Sequence, residues 1–239
     1  PGWPIVQGWE RRSLATIIPL APLTRADVAH LVADTTLAAD EVYAATGGVP
    51  FAVGEVLAER DRAVDGDIAT LIRRRLDGLS GVDRQALEAA AVLGDRVDSR
   101  IWCETLGTSP LDLAAVSARL ISARWLTQTA TGNAFVHDNL RSAVYDQIDD
   151  AQLVAWHERA TTAITAHDPS NARALAYHFD RAGRARDAAR AHRAAGRHLR
   201  REAAYSEALD SWHRALELLP RRATRTRLEV GLEFIEVCD

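Results

Sequence analysis

The sequence lacks methionine and lysine altogether, so all 29 of its basic residues are arginine. We attribute this bias to the base composition of a GC-rich genome, and the abundance of arginine therefore does not by itself indicate a phosphate-binding protein. Because the chain does not begin with methionine, we expect it to be a fragment or a processed product of a longer protein.

Cysteine is also scarce, since Cys103 and Cys238 are the only two in 239 residues. They are far apart and show neither CxxC nor Cys/His ligand spacing, which favours a reduced cytoplasmic protein over a disulfide framework. No apolar run approaches the roughly 20 residues that a membrane span requires, and no signal peptide is present. We therefore expect a cytoplasmic protein without a membrane partner.

The motifs of common active sites are missing as well. The sequence contains no GxxxxGK[ST] phosphate-binding loop, no apolar strand ending in paired acids for Mg²⁺, and no GxSxG nucleophile elbow. His157-Glu158 begins like a zinc-protease motif, but Thr161 stands where the second histidine would be. We therefore expect neither a metal site nor an enzymatic active site within the chain.

The formal net charge of −4 conceals a difference between two parts of the chain. Residues 1–150 carry 14 arginines against 21 acidic residues, a net charge of −7. Residues 151–239 carry 15 arginines against 12 acidic residues, a net charge of +3. This change of sign predicts a module boundary near residue 150.

A short segment predicted to be a strand is followed by segments whose apolar residues recur at helical spacing. The β-branched run at residues 14–20 predicts a buried strand, and since a lone strand is unstable, we expect its partner strands elsewhere. Capping residues mark the starts of five later helices: Thr24, Asp67, Ser80, Asp98 and Ser109. Glycine at Gly47-Gly48 is typical of a helix end, and Pro50 is typical of the first position of the next helix.

A hairpin that leads directly into a helix closes this region. Residues 125–129 and 134–136 alternate apolar and polar side chains around the turn-forming residues 130–133. After it, apolar residues recur at helical spacing, so Asp138 is predicted to cap a helix and His137 to point away from it. Helices followed by a two-stranded wing indicate a winged-helix domain. A cap beside an incidental histidine is the plain alternative.

A winged helix can bind DNA, but the charges here do not favour it. The predicted recognition helix, residues 110–123, carries Asp112 and Arg119, with Arg124 just beyond it. This is too little positive charge for the electrostatic part of duplex binding. The arginine-rich segment 181–201 lacks interleaved aromatic residues, and we interpret it as a solvated or partner-binding surface. We therefore expect no sequence-specific DNA binding.

The remainder of the chain, after residue 150, is predicted to be helical throughout. Five residues match the glycine, alanine, aromatic and terminal proline positions of a tetratricopeptide unit of about 34 residues. They are Gly196, Ala208, Trp212, Ala215 and Pro220. Helix pairs of this kind bury their apolar faces only by stacking, so we expect further repeats after Asp239.

Four segments in a fixed order carry a resemblance to a known class of proteins. They are Ile17-Ile18-Pro19-Leu20-Ala21-Pro22-Leu23, Thr46-Gly47-Gly48-Val49-Pro50-Phe51, Ala89-Ala90-Ala91-Val92-Leu93-Gly94 and Phe135-Val136-His137-Asp138. Followed by the repeats, they resemble the STAND class of signal-transduction ATPases. The likeness is greatest to its large ATP-binding regulators of the LuxR and maltose-activator type.

The resemblance implies a mainly α fold with a helical lid, a winged-helix domain with a short β-hairpin, and tetratricopeptide-like α-hairpin repeats. The implied domains are the last strand of an ATPase core at residues 1–22, the lid at 23–64, the winged-helix domain at 65–149 and the repeats at 150–239. These boundaries agree with the change in charge near residue 150.

The resemblance also implies nucleotide contacts in the intact parent protein. Gly48 and Pro50 would line the adenine side of ATP or ADP, His137 would reach the β-phosphate of ADP, and Asp138 would hold the strand-to-helix junction. Val136 stands where the family has a methionine, and the phosphate-binding half of the ATPase is not in this sequence, so no nucleotide cofactor is expected for this chain alone. A plain helix–helix turn is the alternative interpretation of Gly48 and Pro50.

The implied function is regulatory rather than enzymatic. The chain would be part of a STAND-type signalling ATPase or transcriptional regulator whose lid and winged helix close over nucleotide while the repeats sense a ligand. The expected partners are the ATPase core and output domain of the parent, and a protein or small-molecule effector on the repeats. The alternative, from a different class, is a nucleotide-independent helical-repeat scaffold for protein–protein interaction.

Overall fold

Thirteen helices and three short strands make up the part of the chain that the computed structural model describes, residues 16, 18, 20–58 and 68–235. This part is mainly helical, and it contains one small antiparallel sheet. The chain divides into two compact units, Pro1–Arg74 and Arg75–Asp239. None of the helices in these ranges combines the length and apolar character that crossing a membrane requires.

The first unit contains a cluster of three helices, α1 Arg25–Val32, α2 Ala39–Thr46 and α3 Pro50–Ala58. The fourth helix, α4 Ile68–Asp77, includes the boundary between the two units. Five valines from α1, α2 and α3 form its core: Val28, Val32, Val42, Val53 and Val56. Thr24 caps α1, as predicted, because its side chain accepts a hydrogen bond from the Asp27 N–H. Gly47 ends α2 in the left-handed conformation, and Pro50 begins α3, as predicted.

Two predictions near these helices differ from the structure or lie outside it. Of residues 14–20, predicted to form a buried strand, Thr16, Ile18 and Leu20 lie in no strand and are exposed. A strand requires a hydrogen-bonded neighbour, and no described residue provides one for this segment. The remaining residues of this run lie outside the described residues; they are Leu14, Ala15, Ile17 and Pro19. Asp67, the predicted cap of α4, also lies outside them.

The second unit begins with a mixed module of helices and strands. Its elements are α5 Gly81–Leu93, β1 Arg96–Asp98, α6 Ser99–Leu106, α7 Pro110–Ser122, β2 Leu126–Gln128, β3 Gly132–Phe135 and α8 Asp138–Tyr145. Ser80, Asp98 and Ser109 cap α5, α6 and α7 with their side chains, as predicted. The buried indole of Trp102 donates a hydrogen bond to the carbonyl of Ala86 at 3.0 Å, which joins α6 to α5.

The sheet has the strand order β1–β3–β2, and both pairings are antiparallel. The predicted hairpin is present as β2–β3, with Leu126 opposite Phe135, although Gly132 belongs to β3 and not to the turn. Strand β1 was not predicted, and it pairs with β3 through Asp98 opposite Gly132. A Cβ atom at Gly132 would lie 2.1 Å from the carbonyl oxygen of Val97, so the close approach of β1 and β3 requires glycine.

Five helices complete the second unit: α9 Asp150–His167, α10 Ala172–Arg181, α11 Ala185–Arg201, α12 Tyr205–Leu218 and α13 Thr224–Ile235. Each of the first four packs on the next helix in the sequence, and α9 also packs on α5 and α6. Trp212 of α12 is fully buried against Gly196 of α11, where a Cβ atom would lie 2.5 Å from the indole nitrogen. Ala208 and Ala215 are buried in the same core, so the small and aromatic positions noted in the sequence share one interface.

Ion pairs connect helices that are not adjacent in this series. Arg214 of α12 donates two hydrogen bonds to Asp180 of α10, at 2.7 and 2.9 Å. Arg193 of α11 contacts Glu229 and Glu233 of α13, at 2.9 and 2.6 Å. Partly exposed pairs of this kind add little stability. They link α10 to α12 and α11 to α13.

Candidate functional site

The turn between α2 and α3 contains Gly48 and Pro50, the residues expected on the adenine side of a nucleotide. Gly47 and Gly48 both have positive φ, at 58° and 72°. The N–H of Leu23 donates a hydrogen bond to the carbonyl of Gly48 at 2.8 Å, and a Cβ atom at Gly48 would lie 2.1 Å from the carbonyl oxygen of Leu23. Gly48 is therefore required both by its backbone conformation and by the closeness of the neighbouring chain.

The outer side of the same turn is apolar and exposed. Val49 is 44% exposed, and Pro50 is exposed as the first residue of α3. The proline ring fixes φ at a value suited to the first turn of a helix and removes an N–H that would have no helical partner. The turn is thus a rigid corner with an apolar edge, a surface against which a planar base can pack.

His137 lies at the start of α8, in the second unit. It occupies the N-cap position and is exposed, and its side chain makes no capping hydrogen bond. The prediction that Asp138 caps this helix is wrong by one residue, because His137 has extended backbone angles and its carbonyl accepts hydrogen bonds from the N–H groups of Leu140 and Arg141. Asp138 is therefore the first helical residue.

Asp138 holds the junction between β3 and α8 in another way. Its carboxylate accepts a hydrogen bond from Nε of Arg141 at 3.0 Å, and the same nitrogen lies 2.6 Å from a carboxylate oxygen of Asp95. Negative charge in the first turn also stabilises a helix through its dipole. The helix start is consequently fixed, and the imidazole of His137 is presented beside the positive end of the dipole.

The four expected contact residues form two pairs. The structure brings Gly48 and Pro50 together in one turn of the first unit, and it brings His137 and Asp138 together at one helix start of the second unit. Each pair is held by local backbone geometry. The first pair forms an apolar edge, and the second places an exposed imidazole at a helix start.

Sequence reasoning missed a buried cluster of polar rings that joins α8, α9 and α10. His157 and His178 are 1% and 2% exposed, and their Nδ1 atoms lie 2.9 Å apart. The hydroxyl oxygen of Tyr145 lies 3.0 Å from Nε2 of His157. Tyr177 packs edge-on against both imidazoles, with ring centroids 5.5 and 5.2 Å away.

Burial determines the protonation of this ring cluster. Burial, and then the positive charge of Arg181, lower the pKa of His157 to about 4, while burial and His157 lower the pKa of His178 to about 3. Both imidazoles are therefore neutral at pH 7. If Tyr145 donates to Nε2 of His157, then Nδ1–H of His157 donates to Nδ1 of His178, and both of these hydrogen bonds form without a charge. The cluster is a neutral network that connects α8 to the helices after it.

Among the described residues, no further metal ligands accompany the histidines of this cluster. Within the described ranges, no three histidine, cysteine, aspartate or glutamate side chains converge as metal ligands do. The thiol of Cys103 donates a hydrogen bond to the carbonyl of Thr108 at 3.0 Å, and burial raises its pKa. Cys238 lies outside the described residues.

The surface of α7, predicted to be a recognition helix, carries a paired arginine. Nε and Nη2 of Arg119 donate hydrogen bonds to the carboxylate of Asp83 at 2.7 to 3.1 Å. Asp112 accepts a hydrogen bond from the Ser109 hydroxyl at the start of the helix. The positive charge that a DNA backbone would need from this helix is therefore already engaged with an acid.

The rigid glycine turn, the exposed histidine at a helix start and the buried ring cluster are the chemically distinctive features of the described chain. Each is defined by distances and burial within one unit. No known protein family, curated protein or solved structure matches this chain.

Proposed function

We propose that this chain is the regulatory part of a STAND-type signalling ATPase or transcriptional regulator. The observation that carries the proposal is the start of α8, where His137 is exposed at the N-cap and Arg141 holds the junction through Asp138. An imidazole beside the positive end of a helix is suited to donate a hydrogen bond to a phosphate oxygen. The order of the four family-like segments in the sequence adds support.

The same proposal assigns a finer architecture to the fold. Helices α5 to α7 followed by the β2–β3 hairpin have the order of elements expected of a winged-helix domain, and α1 to α3 have the short helices expected of a lid. The close contact of Trp212 with Gly196 is what a tetratricopeptide-like helix pair would require. In this scheme the repeats sense a protein or a small-molecule effector, and the lid and winged helix respond.

In the intact parent, Gly48 and Pro50 would bound the adenine side of the nucleotide and His137 would donate to the β-phosphate of ADP. The nucleotide supplies a charged acceptor, and a hydrogen bond to such an acceptor contributes roughly 1.5–3 kcal/mol. A contribution of this size shifts a ratio of closed to open molecules by about ten- to a hundredfold. Asp138 would act by position only, because it holds the helix start through Arg141.

The experiment is a measurement of the nucleotide retained by the purified parent protein, together with its basal output. His137→Ala should lower the retention of ADP more than that of ATP and raise the output without inducer. Asp138→Ala should act in the same direction but more weakly. His213→Ala, at an exposed histidine of α12, is the matched control and should behave as the wild type. Full ADP retention and a silent basal state in His137→Ala would refute the phosphate contact.

A nucleotide-independent scaffold for protein–protein interaction is the second candidate. The observation that favours it is the array from α10 to α13, in which α11, α12 and α13 share a core around Trp212 and ion pairs link alternate helices. A phosphate-binding loop encoded upstream in the same reading frame would support the ATPase proposal over the scaffold. Low-micromolar nucleotide binding by this chain alone would contradict the assignment of the phosphate contacts to a separate ATPase core.

A further inference from the structure

A cleft of about 300 Å³ opens between α10, α11 and α12, entirely within the second unit. Arg173, Tyr177 and Arg181 of α10 line it, together with His192 of α11 and Ser211 of α12. The volume is at the lower end of the range for small-molecule sites. A small molecule therefore fits this cleft better than a peptide segment does.

Positive charge dominates the α10 side of the cleft. Arg173, Tyr177 and Arg181 are spaced four residues apart, so they form one row along the helix. The guanidinium carbon of Arg181 lies 5.3 Å from the centre of the Tyr177 ring. Both arginines are exposed, and neither has an acidic partner among the residues that the structure describes.

Asp180, the acid in the lining, is already paired. Arg214 donates to both of its carboxylate oxygens, at 2.7 and 2.9 Å, and these hydrogen bonds lower the pKa of Asp180. Nε2 of His192 lies 3.5 Å from the carboxylate, too far for a good hydrogen bond, and it has no other partner in the described part of the chain. The cleft thus combines two uncompensated positive charges with hydrogen-bonding groups on Tyr177, Ser211 and His192.

Tyr177 also connects the cleft to the buried ring cluster. Its side chain is 42% exposed, yet its ring packs edge-on against both His157 and His178. Burial raises the pKa of Tyr145, and the neighbouring Tyr177 raises it further. A molecule in the cleft would therefore contact the ring that adjoins the network leading to α8.

We propose that this cleft binds a small organic anion, whose phosphate or carboxylate group is held by Arg173 and Arg181 beside the Tyr177 ring. The planar guanidinium group presents paired N–H donors that match the oxygens of either anion. This site goes beyond the proposed nucleotide role, because all its residues belong to the second unit and none of them is an expected nucleotide contact. It gives the helical array an effector of defined chemistry.

The experiment is a calorimetric titration of the 239-residue chain without nucleotide, using inorganic pyrophosphate and succinate as separate probes. We expect binding of at least one probe with a Kd of about 1 mM or below. Binding of pyrophosphate alone identifies a phosphate site, binding of succinate alone identifies a carboxylate site, and binding of both identifies a general oxyanion site. Absence of heat from both probes at millimolar concentrations overturns the proposal.

Substitutions of the two cleft arginines test where the anion binds. Arg173→Gln and Arg181→Gln should each weaken binding by at least about fivefold, and the double variant should abolish it. Arg222→Gln removes the same charge from an exposed position between α12 and α13 and should change Kd by less than about twofold. An equal loss in Arg222→Gln would show attraction to net charge only and would reject the site.

Two further readouts keep these results interpretable. Thermal unfolding should be unchanged in all three single variants, because the replaced side chains are exposed and lack acidic partners. Retention of ADP by the parent protein does not depend on Arg173 or Arg181 contacting nucleotide. Failure of anion binding would therefore leave the His137 experiment intact, and the two proposals can fail separately.

Discussion

Two adjacent glycines in the α2–α3 turn differ in what a methyl group would meet. Gly48→Ala would place a Cβ atom 2.1 Å from the carbonyl oxygen of Leu23, whereas a Cβ atom at Gly47 would have nothing within 4 Å. Both substitutions strain a left-handed backbone, at about 1–2 kcal/mol each. We expect Gly48→Ala to lower the free energy of unfolding of the first unit by about 3 kcal/mol or more, because the backbone must also move.

Urea denaturation followed by far-ultraviolet circular dichroism measures this difference. Gly47→Ala is the matched control. It should lower the free energy of unfolding only by the cost of the left-handed backbone, about 1–2 kcal/mol. Equal losses in the two variants would show that the contact with Leu23 relaxes at no cost. The turn would then be less rigid than the distance indicates.

The buried pair His157 and His178 predicts a pH dependence of stability. Their pKa values in the folded state, about 4 and about 3, lie below the ordinary value of about 6.5 in an unfolded chain. Between pH 6.5 and 4 the unfolded state therefore binds more protons, and the folded state loses stability as the pH falls. The slope approaches roughly 1.4 kcal/mol per pH unit for each histidine.

Unfolding free energies at pH 7.5 and pH 5 test this expectation. The double variant His157→Gln and His178→Gln should lose most of the difference between the two pH values, although it is less stable than the wild type at pH 7.5. His213→Gln, at an exposed histidine of α12, should keep the wild-type difference. An unchanged difference in the double variant would assign the acid sensitivity to carboxylates instead.

Side-chain caps show how far single residues could be predicted. Ser80, Asp98 and Ser109 were identified correctly because a cap depends on residues within one turn of it. Asp138 was misplaced by one position, since two successive polar residues can both precede a helix and only the backbone angles decide between them. The contact of His157 with His178 could not be predicted, because it depends on how α9 and α10 cross.

At the scale of elements, the α11–α12 interface depends on one large residue against one small residue. Trp212 is fully buried, and a Cβ atom at Gly196 would lie within 2.5 to 2.8 Å of its indole. Trp212→Ala should lower the free energy of unfolding by about 3–5 kcal/mol because it leaves a large cavity. Gly196→Ala should cost about 1–3 kcal/mol, because a buried indole has no room to move.

A double-mutant cycle checks that the two effects share one contact. In a Trp212→Phe background, Gly196→Ala should cost less than in the wild type, because the smaller ring leaves space for the methyl group. Additive losses would mean that the methyl group strains something other than the indole. A loss below about 1 kcal/mol for Trp212→Ala would mean that the α11–α12 core is not formed around this ring.

The helices were more predictable than the sheet. Helices α9, α11 and α12 each have several residues at helical spacing that form one buried face, and the β2–β3 hairpin has a short local turn. Strand β1 has only three residues, Arg96–Asp98, and its partner Gly132 lies far along the chain. Three residues do not establish an alternating pattern, so this pairing is a tertiary contact that local reasoning does not reach.

At the scale of the whole molecule, the charges predict weak interaction with DNA. Residues 1–150 carry a net charge of −7, from 14 arginines and 21 acidic residues, and Arg119 on α7 is bound by Asp83. A net negative charge disfavours association with the phosphate backbone of a duplex. In gel-shift experiments at physiological salt we expect no sequence preference. A complex that survives excess competitor DNA of unrelated sequence would contradict this.

The four expected nucleotide contacts show the limit of prediction for the candidate site. The conformation of Gly48 and the exposure of His137 follow from their immediate neighbours and agree with their expected positions in a turn and at a helix start. Their role toward a nucleotide also depends on the phosphate-binding residues of the expected ATPase core, which the sequence of these four residues does not reveal. The anion cleft could not be predicted for a different reason. Its arginines are visible in the sequence, but the cleft forms only where α10, α11 and α12 pack together.

The packing of α10 to α13, each mainly on its neighbours in the sequence, has a consequence for how the chain opens. A helix that contacts mainly the preceding and following helices can detach without dismantling the rest, so the array behaves as a row of coupled units with separate opening free energies. In this chain α13 packs mainly on α12, and its Leu228, Leu232 and Ile235 face solvent. Amide hydrogens should therefore exchange fastest in α13 and progressively more slowly toward α9, where the buried rings hold three helices together.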